Sequence, residues 1–275
     1  MQTLWIDGTI CIFELIIEYG MKNMDHIILP NNVKTQRKTE CLADFHNNSN
    51  RLSDCTLCPR ECHVNRLKGQ RGRCHETAEI VVARAALHMW EEPCVSGSAG
   101  SGAVFFSGCC MGCIFCQNHN IAEAKAGKVI TTDRLAEIFL ELQSQGAANI
   151  NLVTPTHYVP QIITALEIAK AKGMDLPVVY NTSGYEKAET LQLLKGYVDV
   201  YLPDFKYMEM ELAKAYSYAE DYPAYAKAAI KEMVDQTGPV QIDEESGMIK
   251  KGVIVRHLVL PGHVKNSKAV IRYLY

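Results

Sequence analysis

The chain has 275 residues, a net charge of −3, and 48% hydrophobic against 21% charged residues, the balance of one large or two small globular units. So mild an acidity gives no reason to expect nucleic acid or an anionic membrane as partner. Eleven cysteines are many for this length, but no stretch reads convincingly as a secretory signal. The apolar run from Leu4 to Tyr19 is broken by Asp7, Glu14 and Glu18, and no Lys or Arg precedes it, which suits neither a signal peptide nor a spanning helix. The cysteines fall at metal-ligand spacings, so a reducing cytoplasm and metal ligation are expected rather than disulfides.

Residues 1–54 are polar and Asn-rich, as in "LPNNVKTQRKTE" and "DFHNNSNRLSD", and are expected to form an irregular, flexible extension. Met21 and Met24 offer alternative starts of translation, and Cys11 and Cys41 have no matched partners. Residues 55–102 form a cysteine-rich segment. Cys55-x2-Cys58-x3-Cys62 followed by Cys74, with Cys94 as a substitute, is a knuckle that suits zinc or an iron–sulfur cluster, reduced unligated thiols being the alternative. Arg60, Arg66, Arg71 and Arg73 interleave with it, giving a local basic patch that reads as solvated surface or as a contact for an acidic reductant.

From Ala103 the texture becomes short apolar runs alternating with helical periodicity. "AVFFSG" reads as a first strand. "TTDRLAEIFLELQSQG" follows as a helix opened by Thr132, closed by Gly146, with Leu135, Ile138, Phe139 and Leu142 on one face. "NINLVTP" is a second strand, with a helix from about Pro160 to Lys172 and a stop at Gly173. "PVVYNTS" is a third, before the short helix "EKAETLQLLKG". "VDVYLPDFK" is a fourth, before a long helical stretch broken at Pro223. After the charged turn "DEESG", "GVIVRHLVLPG" is a fifth strand and "SKAVIRYLY" opens another helix. Successive βα units imply an α/β fold with a parallel sheet, whose ligands gather at the C-terminal strand ends. Cys109, Thr154 to His157, Asn181 to Ser183, Asp204 and Lys206 all fall at those ends.

The loop "FFSGCCMGCIFCQN" carries the most chemistry. Cys109, Cys113 and Cys116 are spaced Cys-x3-Cys-x2-Cys; three thiolates in one loop can hold three irons of a [4Fe–4S] cubane and leave the fourth open. A structural zinc would want a fourth ligand. Cys110 adjoins Cys109, would point the other way, and reads as filler. Phe115, just before the last cysteine, is either core or a cover for an adenine ring.

That spacing, the aromatic before its last cysteine and the βα repeat behind it resemble the radical SAM superfamily. "CTLCPRECHVNRLKGQRGRC", "NLVTPTHYVPQI", "VVYNTSGYE", "YLPDFKY" and "HLVLPGHVKNS" further resemble its pyruvate formate-lyase activating enzyme-like proteins, over Cys55 to Tyr275. The resemblance implies a partial (β/α) barrel over residues 103–275. In such barrels S-adenosylmethionine is reductively cleaved at the cluster to give a 5′-deoxyadenosyl radical for hydrogen abstraction, the implied target being a glycyl radical enzyme and the implied electron donor flavodoxin or ferredoxin. It implies that Phe115 flanks the adenine. Thr154 and Thr156 replace the Gly-Gly-Glu that commonly binds the methionine amino group. Asn181 faces ribose or carboxylate, and His257 lies where relatives contact the cofactor. Asp204 and Lys206 point to one side of the chain, either as a pair closing the strand end or facing the cofactor. The catalytic residue is not implied. Relatives continue through a sixth strand and a closing helix, so a barrel ending at Tyr275 is expected to lack its last stave. The competing readings are a non-catalytic zinc or iron–sulfur module, and a relative that binds the cluster without turnover.

Overall fold

The computed structural model describes Trp5–Ile6, Thr9–Ile12 and residues 51–275. The expected extension over residues 1–54, with Cys41, therefore falls almost wholly outside the described residues. In chain order the strands are β1 (Trp5–Ile6), β2 (Thr9–Ile12), β3 (Ile80–His88), β4 (Ser101–Phe106), β5 (Lys128–Ile130), β6 (Ile150–Val153), β7 (Val178–Thr182), β8 (Val200–Pro203), β9 (Gln241–Ile242), β10 (Ile249–Val253) and β11 (His257–Leu258). The longer helices are α1 (Thr132–Ser144), α2 (Val159–Ala171), α3 (Met210–Ser217), α4 (Tyr222–Thr237) and α5 (Val264–Leu274).

One eight-stranded sheet runs β5-β3-β4-β6-β7-β8-β10-β9 and does not close among the described strands, while β1, β2 and β11 form a separate ladder. β4, β6, β7, β8 and β10 are parallel neighbours, so the expected partial barrel is the fold. β3 and β5 extend one edge antiparallel and β9 the other.

The register explains the two faces. Val104, Leu152, Tyr180 and Tyr201 are cross-strand partners, and all four are fully buried in the main core with Leu135, Phe139, Ile162 and Ala226 of the helices. Each such side chain contributes about 1.5–3 kcal/mol by leaving water. One residue along, Ala103, Asn151, Val179 and Val200 form the next row and face inward by the period of two. Val179 and Val200 join Val95, Leu202, Ile249 and Ile254 in a smaller inner cluster.

Several boundaries move. The side chain of Thr131, not Thr132, caps α1 by accepting from Arg134 N. Pro223 sits in the first turn of α4 rather than breaking a helix; the preceding helix stops at Tyr218, which is left-handed (φ 53°). The fifth parallel strand ends at Val253, so Arg256 makes only an isolated bridge to Asp204 and His257 lies in β11. β3 was not expected: "IVVARAALH" belongs to the sheet although it lies in the cysteine-rich stretch. No described helix is long and apolar enough to cross a membrane.

Candidate functional site

β4 ends at Phe106, and the chain turns into the cysteine loop. Ser107 N donates to Val81 O and Gly108 N to Ile121 O. Gly108 and Gly112 are left-handed, and a Cβ on either would collide, with Cys74 O in the first case and the Arg73 guanidinium in the second. The cysteine-rich segment thus lies directly on the loop. Arg60 Nε donates to Cys110 O at 2.9 Å, its Nη2 to Met111 O at 3.3 Å and Ser217 O at 3.1 Å, and its Nη1 to Tyr218 O. Arg73 Nη2 donates to Met111 O at 3.1 Å. Arg66, 1% exposed, donates to Thr77 O and to His157 O. The expected basic patch is therefore corrected: these three guanidiniums turn inward to satisfy backbone carbonyls, and of the four only Arg71 is exposed, donating to His75 O.

Within the loop, Cys109, Cys113 and Cys116 are half-buried. Cys109 Sγ accepts from Met111 N at 3.4 Å and Cys113 Sγ from Ser217 Oγ at 3.0 Å. The Cys110 thiol beside it holds Cys109 down to about 6, against burial, helped by the N–H groups of Met111 and Gly112 and by the Lys206 ammonium. Burial pushes Cys113 and Cys116 up, with Lys206 opposing in both. One ammonium thus acts on all three sulfurs, and the sulfurs act on one another. The donor chemistry fits a cubane held at three corners, although no three Cys, His, Asp or Glu side chains among the described residues are already gathered as a metal-holding group.

Cys110 occupies a buried place in the loop. It is 2% exposed, its Sγ lies 4.0 Å from Tyr185 O, and the neighbouring Cys109 and Cys58 thiols, with burial, push it well up. Phe115 packs edge-on to Tyr216, centroids 6.4 Å apart.

The structure brings Asn181, Asp204 and Lys206 together. Lys206 Nζ pairs with Asp204 Oδ2, Arg256 Nε donates to Asp204 Oδ1 at 3.0 Å, and Arg256 Nη2 donates to Asn181 Oδ1 at 2.6 Å. Burial works to raise Asp204, but Lys206 and Arg256 outweigh it and hold the carboxyl below its ordinary value. Thr156 and His157 do not join this group. Thr156 Oγ1 donates to Glu186 Oε1 at 2.6 Å, and Thr182 Oγ1 donates to the same oxygen. His157 is 1% exposed, bonds Ser107 O through Nε2 at 2.7 Å, and is held down to about 3 by burial and by Arg66. It is no surface histidine. Thr154 is left-handed (φ 58°), a strained state for a β-branched residue, and its N–H donates to Asn181 O at 2.9 Å. His257 has both ring nitrogens engaged, by Phe205 O at 2.6 Å and Ser267 Oγ at 2.9 Å.

Of the second cysteine set, Cys55, Cys58 and Cys74 are buried and act electrostatically on one another at Cys74, whose thiol burial pushes up to about 11. Cys62 is half-buried and its Sγ accepts from Arg73 N at 3.3 Å. These four are not gathered as a metal-holding group either, which gives zinc no support.

Sequence reasoning missed Glu91, Glu186 and Arg256, and it placed Arg60 in a basic patch rather than on the loop carbonyls. Glu186 and Arg256 lie within the quoted "VVYNTSGYE" and "GVIVRHLVLPG", whereas Glu91 carried no local signal.

A family model described as the radical SAM superfamily matches residues 103–273, more than half of the chain. An uncharacterized protein of Methanocaldococcus jannaschii is 31% identical over 224 residues, covering 78% of this chain and 59% of its own length. The chain thus spans about three fifths of that curated relative.

Proposed function

The chain belongs to the radical SAM superfamily, and from that premise we propose that it is an enzyme that cleaves S-adenosylmethionine reductively and abstracts hydrogen from a substrate. The observation that carries this reading is the loop Cys109–Cys116, with its three sulfurs under the field of Lys206. When bound, a [4Fe–4S] cluster and S-adenosylmethionine supply the electron and the 5′-deoxyadenosyl radical.

The chain's own residues have separable roles in this proposal. Cys109, Cys113 and Cys116 hold the cluster, and Lys206 offsets the negative charge of their thiolates. Arg60 and Arg73 fix the carbonyls of the loop, so the cysteine-rich segment acts as a collar on the barrel. Phe115 covers the adenine. The Thr156 hydroxyl is committed to Glu186, so acceptors for the methionine ammonium come from Thr154 and from carbonyls of the Thr154–His157 loop. Asn181 faces the cofactor's ribose or carboxylate with one of the two hydrogens of its amide. Asp204, Lys206 and His257 border the same mouth, with Asp204 keeping Lys206 charged and in place.

The finer reading, that the substrate is a glycyl radical enzyme and the donor a flavodoxin or ferredoxin, rests on the five quoted motifs. A reducing cytoplasm suits the nine cysteines of residues 51–275, all free thiols.

Anaerobic reconstitution tests the proposal. About four iron and four sulfide per chain, a cluster signal perturbed by S-adenosylmethionine, and 5′-deoxyadenosine after dithionite reduction support the enzyme. Cluster without 5′-deoxyadenosine indicates a binding module. A protein radical on added candidate glycyl radical enzymes supports the activase reading, and its absence with intact cleavage removes that reading alone.

A further inference from the structure

The segment between β3 and β4 crosses the inner face of the barrel. Val95 packs in the inner apolar cluster, and Asn149 Nδ2 donates to Val95 O at 2.6 Å. From the same segment Glu91 enters the polar mouth, its side chain 9% exposed. Glu91 Oε1 accepts from Asn151 Nδ2 at 3.1 Å and from Asn181 Nδ2 at 3.5 Å, and its Oε2 lies 3.7 Å from Arg256 Nη1. Donors from β6, from β7 and from beyond β10 therefore converge on one carboxylate.

Three observations mark Glu91 as an occupant of this receptor rather than a fixed member of it. The receptor's internal bonds are tight, with Arg256 Nη2 at 2.6 Å from Asn181 Oδ1 and Nε at 3.0 Å from Asp204 Oδ1. Two of the three contacts to Glu91 are at or beyond the limit of a good N–H···O bond. Its neighbours Met89 and Trp90 are 47% and 81% exposed, so little packing holds the segment on that side. Finally, Asn151 is fully buried and its Oδ1 has no partner, an acceptor left unanswered beside the donor that meets Glu91.

Charge gives the chemistry of the missing ligand. Asp204 and Glu91 pair with Lys206 and Arg256, and the neighbouring Glu92, buried at 6% exposure, also acts on Arg256, although burial raises its carboxyl toward the neutral acid. Withdrawing Glu91 leaves one positive charge and two amide donors facing the same point, a receptor for a monoanionic carboxylate. We propose that Asn151, Asn181 and Arg256 bind the carboxylate of a substrate, with Glu91 as an internal stand-in that leaves when the substrate enters. The unanswered Asn151 Oδ1 selects acids with a hydroxyl or ammonium next to the carboxylate. Lys206, which acts on the cysteine loop, pairs with Asp204, and Asp204 pairs with Arg256, so a relay of three charged groups links the acid to the cluster loop. The inference deepens the radical SAM reading and rests on it for the fate of the acid, but not for its binding.

A tethered carboxylate competes at an effective concentration on the order of millimolar, so removing it should reveal the receptor. The full chain carrying Glu91→Ala is expected to gain melting temperature with sodium glycolate, and less with acetate, relative to sodium chloride of equal ionic strength and to acetamide. Its apparent glycolate affinity is expected about tenfold above wild type. Glu91→Gln keeps the side-chain volume and carries the same comparison if the alanine variant does not fold. In wild type, glycolate is expected to speed chymotryptic cleavage after Trp90, followed by mass spectrometry. Failure of the folded variant to tell carboxylate from chloride, or glycolate leaving cleavage after Trp90 unchanged in wild type, makes Glu91 a fixed plug and overturns the proposal. In a separate arm, reconstituted wild type receives S-adenosylmethionine alone. If that speeds the cleavage and blocks the response to glycolate, the carboxylate received is the cofactor's and the substrate assignment falls. None of the glycolate readouts requires turnover, so failure here is distinct from failure to cleave S-adenosylmethionine.

Discussion

Arg60 Nε donates to Cys110 O at 2.9 Å across 50 residues of sequence, and the same guanidinium reaches Met111 O, Ser217 O and Tyr218 O. One planar fork thereby joins the cysteine-rich segment, the cluster loop and the end of α3. Arg60→Ala is expected to lower stability by about 2–3 kcal/mol, since several half-buried carbonyls lose a charged donor together. Arg60→Lys should restore only part of this, because an ammonium cannot reproduce the fork. Urea unfolding of the three proteins checks the order, and iron retained after gel filtration of reconstituted protein should follow it.

Single alanine substitutions separate the four clustered cysteines. Cys109→Ala, Cys113→Ala and Cys116→Ala are expected to lose most of the reconstituted iron, since a cubane held at two corners is labile. Cys110→Ala should keep about the wild-type iron content and lose about 1 kcal/mol of stability, because its thiol fills a buried position between Cys58 and Cys109. Iron and sulfide assays beside unfolding midpoints check both halves. Loss of iron from the Cys110 variant would make it a ligand.

These residues also show what was legible in advance. The Cys109, Cys113 and Cys116 spacing is local, so it could be read directly, and so could the parallel strands, whose uninterrupted apolar runs announce burial on both faces. β3 was hidden because Cys74 and Cys94 flank it, so the whole stretch read as one metal-binding segment. The fifth strand was placed too late because "GVIVRHLVL" stays apolar on both sides of Arg256 and His257. The polar network could not be read at all. Glu91 meets Asn151 60 residues away, Arg256 meets Asp204 52 away, and Thr156 meets Glu186 30 away, and such pairings leave no local pattern. Arg66 and Arg73 looked like surface for the same reason, since their carbonyl partners are set by the tertiary fold.

Glu186 gives a pH dependence with a definite sign. It is fully buried, one oxygen takes both threonine hydroxyls and the other has no partner. Burial raises its pKa from 4.5 to about 8, the two threonines oppose this, and charge on Cys58 or Cys109 adds to it. Between those values the folded chain keeps a proton that the unfolded chain has lost. Stability should therefore fall as pH rises from about 5 to about 8, by up to about 1.4 kcal/mol per unit, and level off above. Glu186→Gln imitates the neutral acid and should lack this slope. Urea unfolding of cluster-free wild type and variant across the window gives the difference curve, and a flat one would mean the carboxyl is not held neutral.

The Asp204 carboxylate makes the opposite case. It lies between two cations, Lys206 Nζ on one oxygen and Arg256 Nε at 3.0 Å on the other, with its side chain 23% exposed. Asp204→Asn removes the carboxylate the two cations share and leaves Arg256 with the longer contact to Glu91 at 3.7 Å. The expected loss is about 3 kcal/mol, the low end for breaking a buried pair because some water reaches the site. Removing one cation as well, in Asp204→Asn with Lys206→Met, should recover more than half of it, a non-additivity that a double-mutant cycle reads directly. The sign with pH follows from the lowered carboxyl. Its contribution is complete above the ordinary value of 3.8 and is lost as pH falls through the folded value beneath it. Wild type should accordingly lose stability in acid over a range where Asp204→Asn does not, and unfolding curves collected between about pH 5 and pH 2 compare the two. Equal acid sensitivity would show that Asp204 is not the group holding Lys206 and Arg256 together. The cysteine loop would then have to take its positive field from a lysine that nothing fixes in place.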